Sequence, residues 1–151
     1  MMHSYGLLHV NINVSDLARS VRFYTEALGF VVVCESTETV DFGSGPETIS
    51  QVILTIPKTR TILALTHAPS LPVGPGGLNH LGLLLDSDAD VTAMVQRMTT
   101  HGGTIQQQGT REGAGVAEAF AYVRDPDGYA LELSTQAILY AQFPTGSGRS
   151  G

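Results

Sequence analysis

The chain has 151 residues, of which 42% are hydrophobic and 15% are charged, and this composition suits one compact domain with a sizeable core. Its 14 acidic and 8 basic residues give a formal charge of −6, and no basic run could neutralise a row of phosphates, so we expect no nucleic-acid partner. The start, MMHSYGLLHV, lacks the pattern of a secretory signal, and no apolar stretch is long enough to span a bilayer. We therefore predict a cytoplasmic protein without a membrane partner.

The first predicted elements are a strand and a helix. LLHVNINV alternates apolar and polar residues, which predicts a strand with His9, Asn11 and Asn13 on its polar face. Ser15 is a suitable N-cap for a helix whose apolar residues recur at helical spacing until Gly29. The runs VVVCEST, SQVILTI and TRTILALT then predict three more strands, so this half of the chain has the order βαβββ.

The same pattern restarts after a connector. APSLPVGPGG combines three prolines with three glycines and fits no regular element. HLGLLLD then predicts a strand, Ser87 or Asp88 can cap a helix, and TIQQQGT, EAFAYVRD and YALELS predict three further strands. The second half therefore also has the order βαβββ.

An internal repeat organises the whole chain. From His9 to Ala64 is 55 residues and from His80 to Glu132 is 52, so the repeat aligns histidine with histidine and alanine with glutamate. The predicted boundaries are module 1 at about residues 7–67, a connector at 68–79, module 2 at about 80–135 and a tail at 136–151. The tail carries the apolar patch AILYAQF and a Gly/Ser-rich end that we predict to be disordered.

The segments HVNINVSDLARSVRFYTEALGF, HLGLLLD and RDPDGYALELS resemble the vicinal oxygen chelate superfamily, also called the glyoxalase, bleomycin resistance and extradiol dioxygenase group. The resemblance covers about residues 7–135 and implies an α+β fold, in which two βαβββ modules form a curved mixed sheet with a metal-binding cleft. It also implies a homodimer as the expected assembly. Whether the modules pair within one chain or across two copies stays open at the level of sequence.

The resemblance also implies where metal ligands lie. Ligands in this superfamily come from the first and last strands of each module, and His9, Ala64, His80 and Glu132 occupy those positions here. Because the methyl group of Ala64 cannot bind a metal, two imidazoles and one carboxylate remain. That set is typical of non-haem Fe(II) oxygenases, so we expect Fe(II), with Mn(II) or another divalent metal as the alternative.

Strand alternation supports this set independently of the resemblance. His80 points away from the face of Leu81 and Leu83, and Glu132 points away from the face of its neighbouring leucines. An ionised carboxylate in a leucine-rich strand is costly to desolvate without a partner, and a divalent ion would provide one. A simpler alternative is that both histidines satisfy backbone carbonyls and Glu132 pairs with an arginine such as Arg124 across a hairpin.

Other polar and aromatic residues extend the candidate site. Five residues could line a substrate cleft, although each could equally serve the sheet surface or the core: Asn11, Asn13, Ala64, Phe120 and Tyr122. The remaining histidines are interpreted as surface or loop residues, namely His3, His67 and His101, with His67 as a possible second base that no spacing supports. The DPDG turn, residues 125–128, is interpreted as structural.

The main functional hypothesis is a non-haem Fe(II) extradiol-type dioxygenase, an oxidoreductase that acts on a small substrate with adjacent oxygens, with secondary metabolism as one setting. A Mn-dependent transferase like those of fosfomycin resistance is an alternative, but such anionic substrates need cations and module 2 offers little beyond Arg111 and Arg124. A glyoxalase- or epimerase-like lyase is disfavoured because it usually uses the carboxylate that Ala64 replaces. A metal-free drug-binding protein of the bleomycin-resistance kind is disfavoured because such proteins generally lack the ligand set.

Overall fold

A computed structural model describes residues 7–142, which fold into two four-stranded sheets and three α-helices. The first sheet has the order β1-β4-β3-β2 and contains β1 (Val10–Asn13), β2 (Val31–Asp41), β3 (Pro46–Thr55) and β4 (Ile62–His67). The second has the order β5-β8-β7-β6 and contains β5 (Leu81–Leu84), β6 (Thr104–Gly113), β7 (Val116–Arg124) and β8 (Ala130–Ser134). The predicted α+β fold with two repeated modules is confirmed.

Both sheets are mixed and share one pairing scheme. In each, the first strand of the module pairs in parallel with the last, and the remaining neighbours are antiparallel. In the register, Asn11 lies opposite Ala64 and Gly82 lies opposite Glu132. Asn11 follows His9 by two positions, and Gly82 follows His80 by two positions. The repeat seen in the sequence is therefore also a repeat in space.

The helices begin and end close to where the sequence predicts, with two differences. Helix α1 (Leu17–Arg22) is capped by Asp16, whose side chain accepts a hydrogen bond from the Arg19 N–H at 2.9 Å, and not by Ser15. The predicted helix continues as a π-helical turn, Phe23–Ala27, before Gly29 ends it with a φ of +75°. The other helices are α2 (Asp88–Thr100), capped by Ser87, and α3 (Ala137–Ala141).

One apolar core joins the two modules. Its buried residues come from both sheets, from the π-helical turn and from α2, and they include Leu54, Leu65, Met98, Leu131 and Leu133. Because side chains alternate along a strand, the candidate site residues lie on the face of each sheet that points away from this core. Helices α1 and α2 and the core therefore occupy one side of the sheets, whereas α3 contacts Glu118 on the side that carries the candidate site residues.

The DPDG turn fastens module 2 to the helix of module 1. The buried Tyr24 hydroxyl donates to Asp125 at 2.8 Å. Asp127 accepts hydrogen bonds from the Ser15 hydroxyl at 2.5 Å and from the Arg19 guanidinium at 2.7 Å. The predicted structural role of this turn therefore includes contacts between modules as well as the turn itself.

Some predictions fall at or beyond the ends of the described residues. The apolar patch of the tail contains the short helix α3, whereas His3 and the Gly/Ser-rich end lie outside residues 7–142. Within that range, no helix is both long and apolar enough to cross a membrane.

Candidate metal and substrate site

His80 and Glu132 form the centre of the candidate site. His80 immediately precedes β5 and Glu132 lies in the middle of β8, the strand that pairs with β5. Nε2 of His80 lies 2.9 Å from Oε2 of Glu132, which is only 7% exposed. Nδ1 of His80 lies 2.6 Å from the Asn79 side-chain oxygen, so both ring nitrogens have partners and the ring orientation is fixed. The sequence predicts that these two residues lie close together, and they are in contact in the structure.

The second oxygen of Glu132 is bound by an arginine. Arg111 Nη2 lies 2.8 Å from Glu132 Oε1, and the same guanidinium donates to Glu118 through Nε at 2.8 Å and Nη2 at 2.7 Å. The simpler alternative, in which Glu132 pairs with an arginine, agrees with the structure in kind, but the partner is Arg111 and not Arg124, which lies opposite Ala130 in the β7–β8 register. Arg111 instead reaches Glu132 across the intervening strand β7.

For both Arg111 and Glu118, burial favours the neutral form and the hydrogen bonds of the ion pair favour the charged form. Burial lowers the pKa of Arg111, but its hydrogen bonds to Glu118 and Glu132 outweigh that effect and raise the pKa overall. Burial raises the pKa of Glu118, but hydrogen bonds from Arg111 and from the Ile138 backbone N–H outweigh it and hold the pKa below its usual value. Arg111 and Glu118 are thus both charged throughout the neutral range.

Two aromatic residues of β7 complete this half of the site. Tyr122 lies opposite Glu132, and its ring meets the His80 ring edge-on with centroids 5.3 Å apart. Phe120 packs against Tyr122 and lies under the Arg111 guanidinium, 5.1 Å from Cζ to the ring centroid. Burial, followed by the negative charge of Glu132, raises the pKa of Tyr122. Both aromatics share the face of Glu132, where a substrate would contact them.

An open pocket lies beside this cluster. Its volume is about 540 Å³, and polar side chains of Asn79, Gln107, Tyr122 and Arg124 line it together with the glycines of the connector. Asn79 and Tyr122 also contact His80, so the pocket adjoins the His80–Glu132 pair. A small polar substrate has room to lie there.

His9 lies on the other sheet. It is exposed, directly precedes β1, and borders a pocket of about 310 Å³ together with Arg60 and Leu8. Ala64 is buried opposite Asn11 in the same sheet. His9 and Ala64 therefore lie on neighbouring strands of the first sheet, but one copy of the chain does not bring them to His80 and Glu132 on the second sheet.

The two asparagines of β1 have different roles. Asn11 accepts a hydrogen bond from the Thr66 hydroxyl at 2.8 Å, and Thr66 accepts one from the Gln51 amide at 2.9 Å, so a chain of polar side chains runs across the face of Ala64. Asn13 instead holds the connector, since its amide donates to the Leu71 carbonyl at 2.8 Å. Asn11 fits the predicted cleft surface, and Asn13 has a structural role.

A three-donor metal site is not assembled by one copy of the chain. No group of three His, Cys, Asp or Glu side chains within residues 7–142 is placed to hold a metal ion. The imidazole of His80 and the carboxylate of Glu132 are donors that suit a first-row divalent cation, so the residues fit two positions of such a site. His67 and His101 do not extend it, because their rings contact the Val14 carbonyl and Glu26 respectively.

The sequence analysis did not place Arg111 and Glu118 at the site. The sequence does contain a pattern that predicts their contact. The turn within EGAG joins β6 and β7 into a hairpin, and its register places Arg111 opposite Glu118. Opposite charges at facing positions predict a cross-strand ion pair. That this pair also reaches Glu132 depends on the neighbouring strand β8 and could not be read from the hairpin.

Two βαβββ modules with parallel first and last strands, a histidine before the first strand of each and a carboxylate on the last strand of the second define a protein of the vicinal oxygen chelate class. The model of the Glyoxalase/Bleomycin resistance protein/Dioxygenase superfamily matches residues 6–133. The chain belongs to that superfamily.

Two relatives of similar sequence carry the name lactoylglutathione lyase. The chain is 32% identical over 140 residues to a lactoylglutathione lyase of Salmonella typhimurium, covering 84% of the chain and 90% of the relative. It is 33% identical over 136 residues to a putative lactoylglutathione lyase of Brassica oleracea, covering 83% of the chain but only 43% of the relative. The chain thus spans less than half the length of this plant relative. These names support the lyase alternative and do not support the Fe(II) dioxygenase hypothesis.

Solved structures agree with the fold. A glyoxalase family protein from Bacillus cereus matches with a TM-score of 0.71 at 17% identity, covering 88% of this chain and 95% of that one. A mutant of the fosfomycin resistance protein FosX from Listeria monocytogenes, complexed with Mn(II), matches with a TM-score of 0.65 at 18% identity, covering 88% and 91%. At these identities the matches establish the shared fold alone.

Proposed function

We propose that the chain is a subunit of a divalent-metal-dependent lyase of the glyoxalase type, which interconverts a 2-hydroxyacyl thioester with a thiol and a 2-oxoaldehyde. The proposal is carried by the His80–Glu132 pair, at the positions that the repeat indicates, 2.9 Å apart and on the open face of the sheet. The 32% identity to a bacterial lactoylglutathione lyase, over 90% of that relative, supports the reaction class.

The active site is completed by a second copy of the chain. β1 and β5 each form one edge of their sheet, opposite the edges formed by β2 and β6, and no described strand covers them. Next to the β1 edge, Leu7 and Leu8 are 83% and 73% exposed. When the β1 edge of one copy meets the β5 edge of another, His9 approaches His80 and Glu132 and the exposed leucines are covered.

Three residues would then hold the metal: His9 from one copy, and His80 and Glu132 from the other. A divalent cation bound there would act as a Lewis acid on the two adjacent oxygens of the substrate. Mn(II) and Fe(II) both accept such a set of imidazole and carboxylate donors. Because Ala64 supplies no donor, more positions stay open for substrate than in a four-donor site.

The protein's own side chains account for proton transfer and for exclusion of water. Interconversion moves a proton between two neighbouring carbons, so one group must accept the proton and return it. Glu132 would take this role through Oε2, the oxygen that Arg111 does not hold, and that oxygen would accept the proton in exchange for its contact with the cation. Tyr122 and Phe120 form an aromatic wall beside Glu132 that keeps water from the reacting atoms.

The reaction is tested by thioester formation from methylglyoxal and glutathione, followed by ultraviolet absorbance with each of several divalent metals. We expect metal-dependent thioester formation, and a loss of at least about 10²–10⁴-fold in kcat for Glu132→Gln, which removes the proton acceptor and also weakens a metal ligand. Arg22→Gln, an exposed residue of α1, is the matched control. The absence of thioester with every metal, in protein shown to be folded and metal-bound, would contradict the lyase assignment.

A second reaction is favoured by one observation, the alanine at position 64. With three donors instead of four, the site also suits opening of a phosphonate epoxide such as fosfomycin, and the Listeria protein is a fosfomycin resistance protein that binds Mn(II) and a dihydroxypropylphosphonic acid. Consumption of fosfomycin by water or by a thiol, measured by phosphorus NMR with Mn(II), separates this activity from thioester formation.

Sharing of the site between copies is tested by mixing inactive variants. His9→Ala and Glu132→Ala each damage every site of a homodimer, whereas a mixed dimer contains one intact site. We expect each variant alone to be inactive, and the refolded mixture to recover up to about a quarter of wild-type activity, since random pairing makes half of the dimers mixed and each has one working site. Persistent inactivity of mixed dimers that are shown to form would place all ligands within one copy.

A further inference from the structure

Arg111 is fixed more firmly than a surface arginine. Its guanidinium makes two hydrogen bonds to Glu118, which is 1% exposed, and the face of the group lies over Phe120. Glu118 is itself held from behind, because its second oxygen accepts from the Ile138 backbone N–H at 3.3 Å and from the Thr135 hydroxyl at 3.4 Å. A guanidinium held by hydrogen bonds at its edge and by an aromatic ring at its face has less rotational freedom than most arginine side chains.

The fixed guanidinium determines which oxygen of Glu132 is available. Nη2 of Arg111 lies 2.8 Å from Oε1, and Nε2 of His80 lies 2.9 Å from Oε2. A carboxylate held at one oxygen cannot rotate to present both oxygens to the same ion. Glu132 therefore faces His80 with a single donor atom.

We propose that Arg111 is a positioning residue: anchored on buried Glu118, it holds Glu132 Oε1 so that Oε2 alone points toward His80 as a one-oxygen ligand. The part that concerns a bound cation rests on the proposed function. The part that concerns the orientation of Glu132 toward His80 is a property of the metal-free chain and is measured separately.

The metal-free arm uses nitrogen NMR of the His80 ring, assigned by comparison with His80→Gln. In the wild type we expect one ordered state with Nε2 engaged by Glu132. In Arg111→Met the carboxylate is free to rotate, so the His80 ring resonances should move toward those of an exposed histidine. Unchanged His80 resonances in a folded Arg111→Met protein would overturn the proposal.

The metal arm uses titration with Mn(II), followed by electron paramagnetic resonance. Loss of a residue that orients a metal ligand weakens metal binding by about 10–100-fold, and we expect a Kd change in that range for Arg111→Met. Arg111→Lys keeps the charge but not the fork, so its Kd should lie between those of the wild type and Arg111→Met. Arg22→Met, on the exposed side of α1, should leave the Kd unchanged.

The outcomes separate this inference from the proposed function. Mn(II) binding that is lost in Glu132→Ala but equal or tighter in Arg111→Met overturns the positioning role and leaves the metal site standing. A wild type that binds no metal overturns the proposed function, and the His80 resonances still decide the role of Arg111. Glu118→Gln, which keeps the shape but removes the anchoring charge, should shift the His80 resonances in the same direction by a smaller amount. A change in melting temperature alone, without these two responses, identifies Arg111 as merely structural.

Discussion

At the scale of single residues, position 64 separates this chain from a four-donor site. Ala64 is 1% exposed and occupies the place in module 1 that Glu132 occupies in module 2. Its neighbours on that face, Asn11 and Thr66, satisfy each other by a hydrogen bond. An alanine here avoids a buried charge in module 1, and under the proposed function Glu132 is then the only carboxylate ligand.

Restoring a carboxylate at this position should produce a protein whose stability depends on metal. We expect Ala64→Glu to lower the free energy of unfolding of the metal-free protein by about 3 kcal/mol, because the new charge is buried without a partner. In the dimer, Mn(II) should then bind at least about tenfold more tightly than to the wild type. Chemical denaturation with and without Mn(II) measures both effects. Ala64→Leu is the control, and an identical response to Mn(II) in the two variants would show that residue 64 does not face the metal.

The ionisation of Glu118 makes the stability contributed by its pairing with Arg111 depend on pH. Its pKa is lower in the folded than in the unfolded protein, so its stabilisation is fully present above the ordinary glutamate value of 4.5 and is lost as the pH falls through the lowered folded pKa. The difference in unfolding free energy between wild type and Glu118→Gln should therefore shrink as the pH falls below 4.5. Asp125, whose pKa is raised by burial, acts in the opposite direction but is the same in both proteins. A difference that stays constant between pH 7 and pH 3 would contradict this account.

At the scale of elements, the DPDG turn connects the two modules by hydrogen bonds. Asp127 has a side chain only 4% exposed, and it receives hydrogen bonds from the Ser15 backbone N–H and hydroxyl at the entrance to α1 and from Arg19 within it. The turn closes the β7–β8 hairpin of module 2, so these bonds connect elements more than 100 residues apart in the chain. A local turn thus makes a long-range contact.

Removing this contact should loosen the modules without altering either sheet. We expect Asp127→Ala to lower the free energy of unfolding by about 2 kcal/mol, since it deletes charge-assisted hydrogen bonds and leaves Arg19 without its ion partner. Hydrogen exchange should show faster opening in α1 and in the turn, with β3 and β7 protected as before. Asp86→Ala, at an exposed position, is the control and should be close to neutral. Equal stability of the two variants would mean that the apolar core alone joins the modules.

At the scale of the whole molecule, the open faces and open edges point to assembly. The core occupies one side of both sheets, and the candidate ligands lie on the other side, on separate sheets of the same chain. Edge strands β1 and β5 border those faces. In the assembly that we propose, each copy contributes His9 to one site and His80 with Glu132 to the other.

A charge next to the β1 edge should separate the copies. We expect the wild type to have twice the 16.0 kDa mass of the chain by light scattering, and Leu8→Glu to shift the mass toward that of one chain, because the new carboxylate would be buried at the interface. Leu139→Glu, which changes an exposed leucine of α3, should leave the mass unchanged. A monomeric wild type would remove the basis for a site shared between copies.

The sequence by itself determined the duplicated βαβββ order, because alternation and spacing are local properties that each module repeats, and the family resemblance predicted His9, His80 and Glu132 as ligands. The sequence also contained the Arg111–Glu118 pair, which follows from the hairpin turn. Only the tertiary structure decided that Arg111 and not Arg124 contacts Glu132, that Asn13 binds the connector, and that His9 lies on a different sheet from the other two candidates. Those facts depend on which strand lies third in a sheet and on how two modules pack across one core, and neither follows from the periodicity of a single segment.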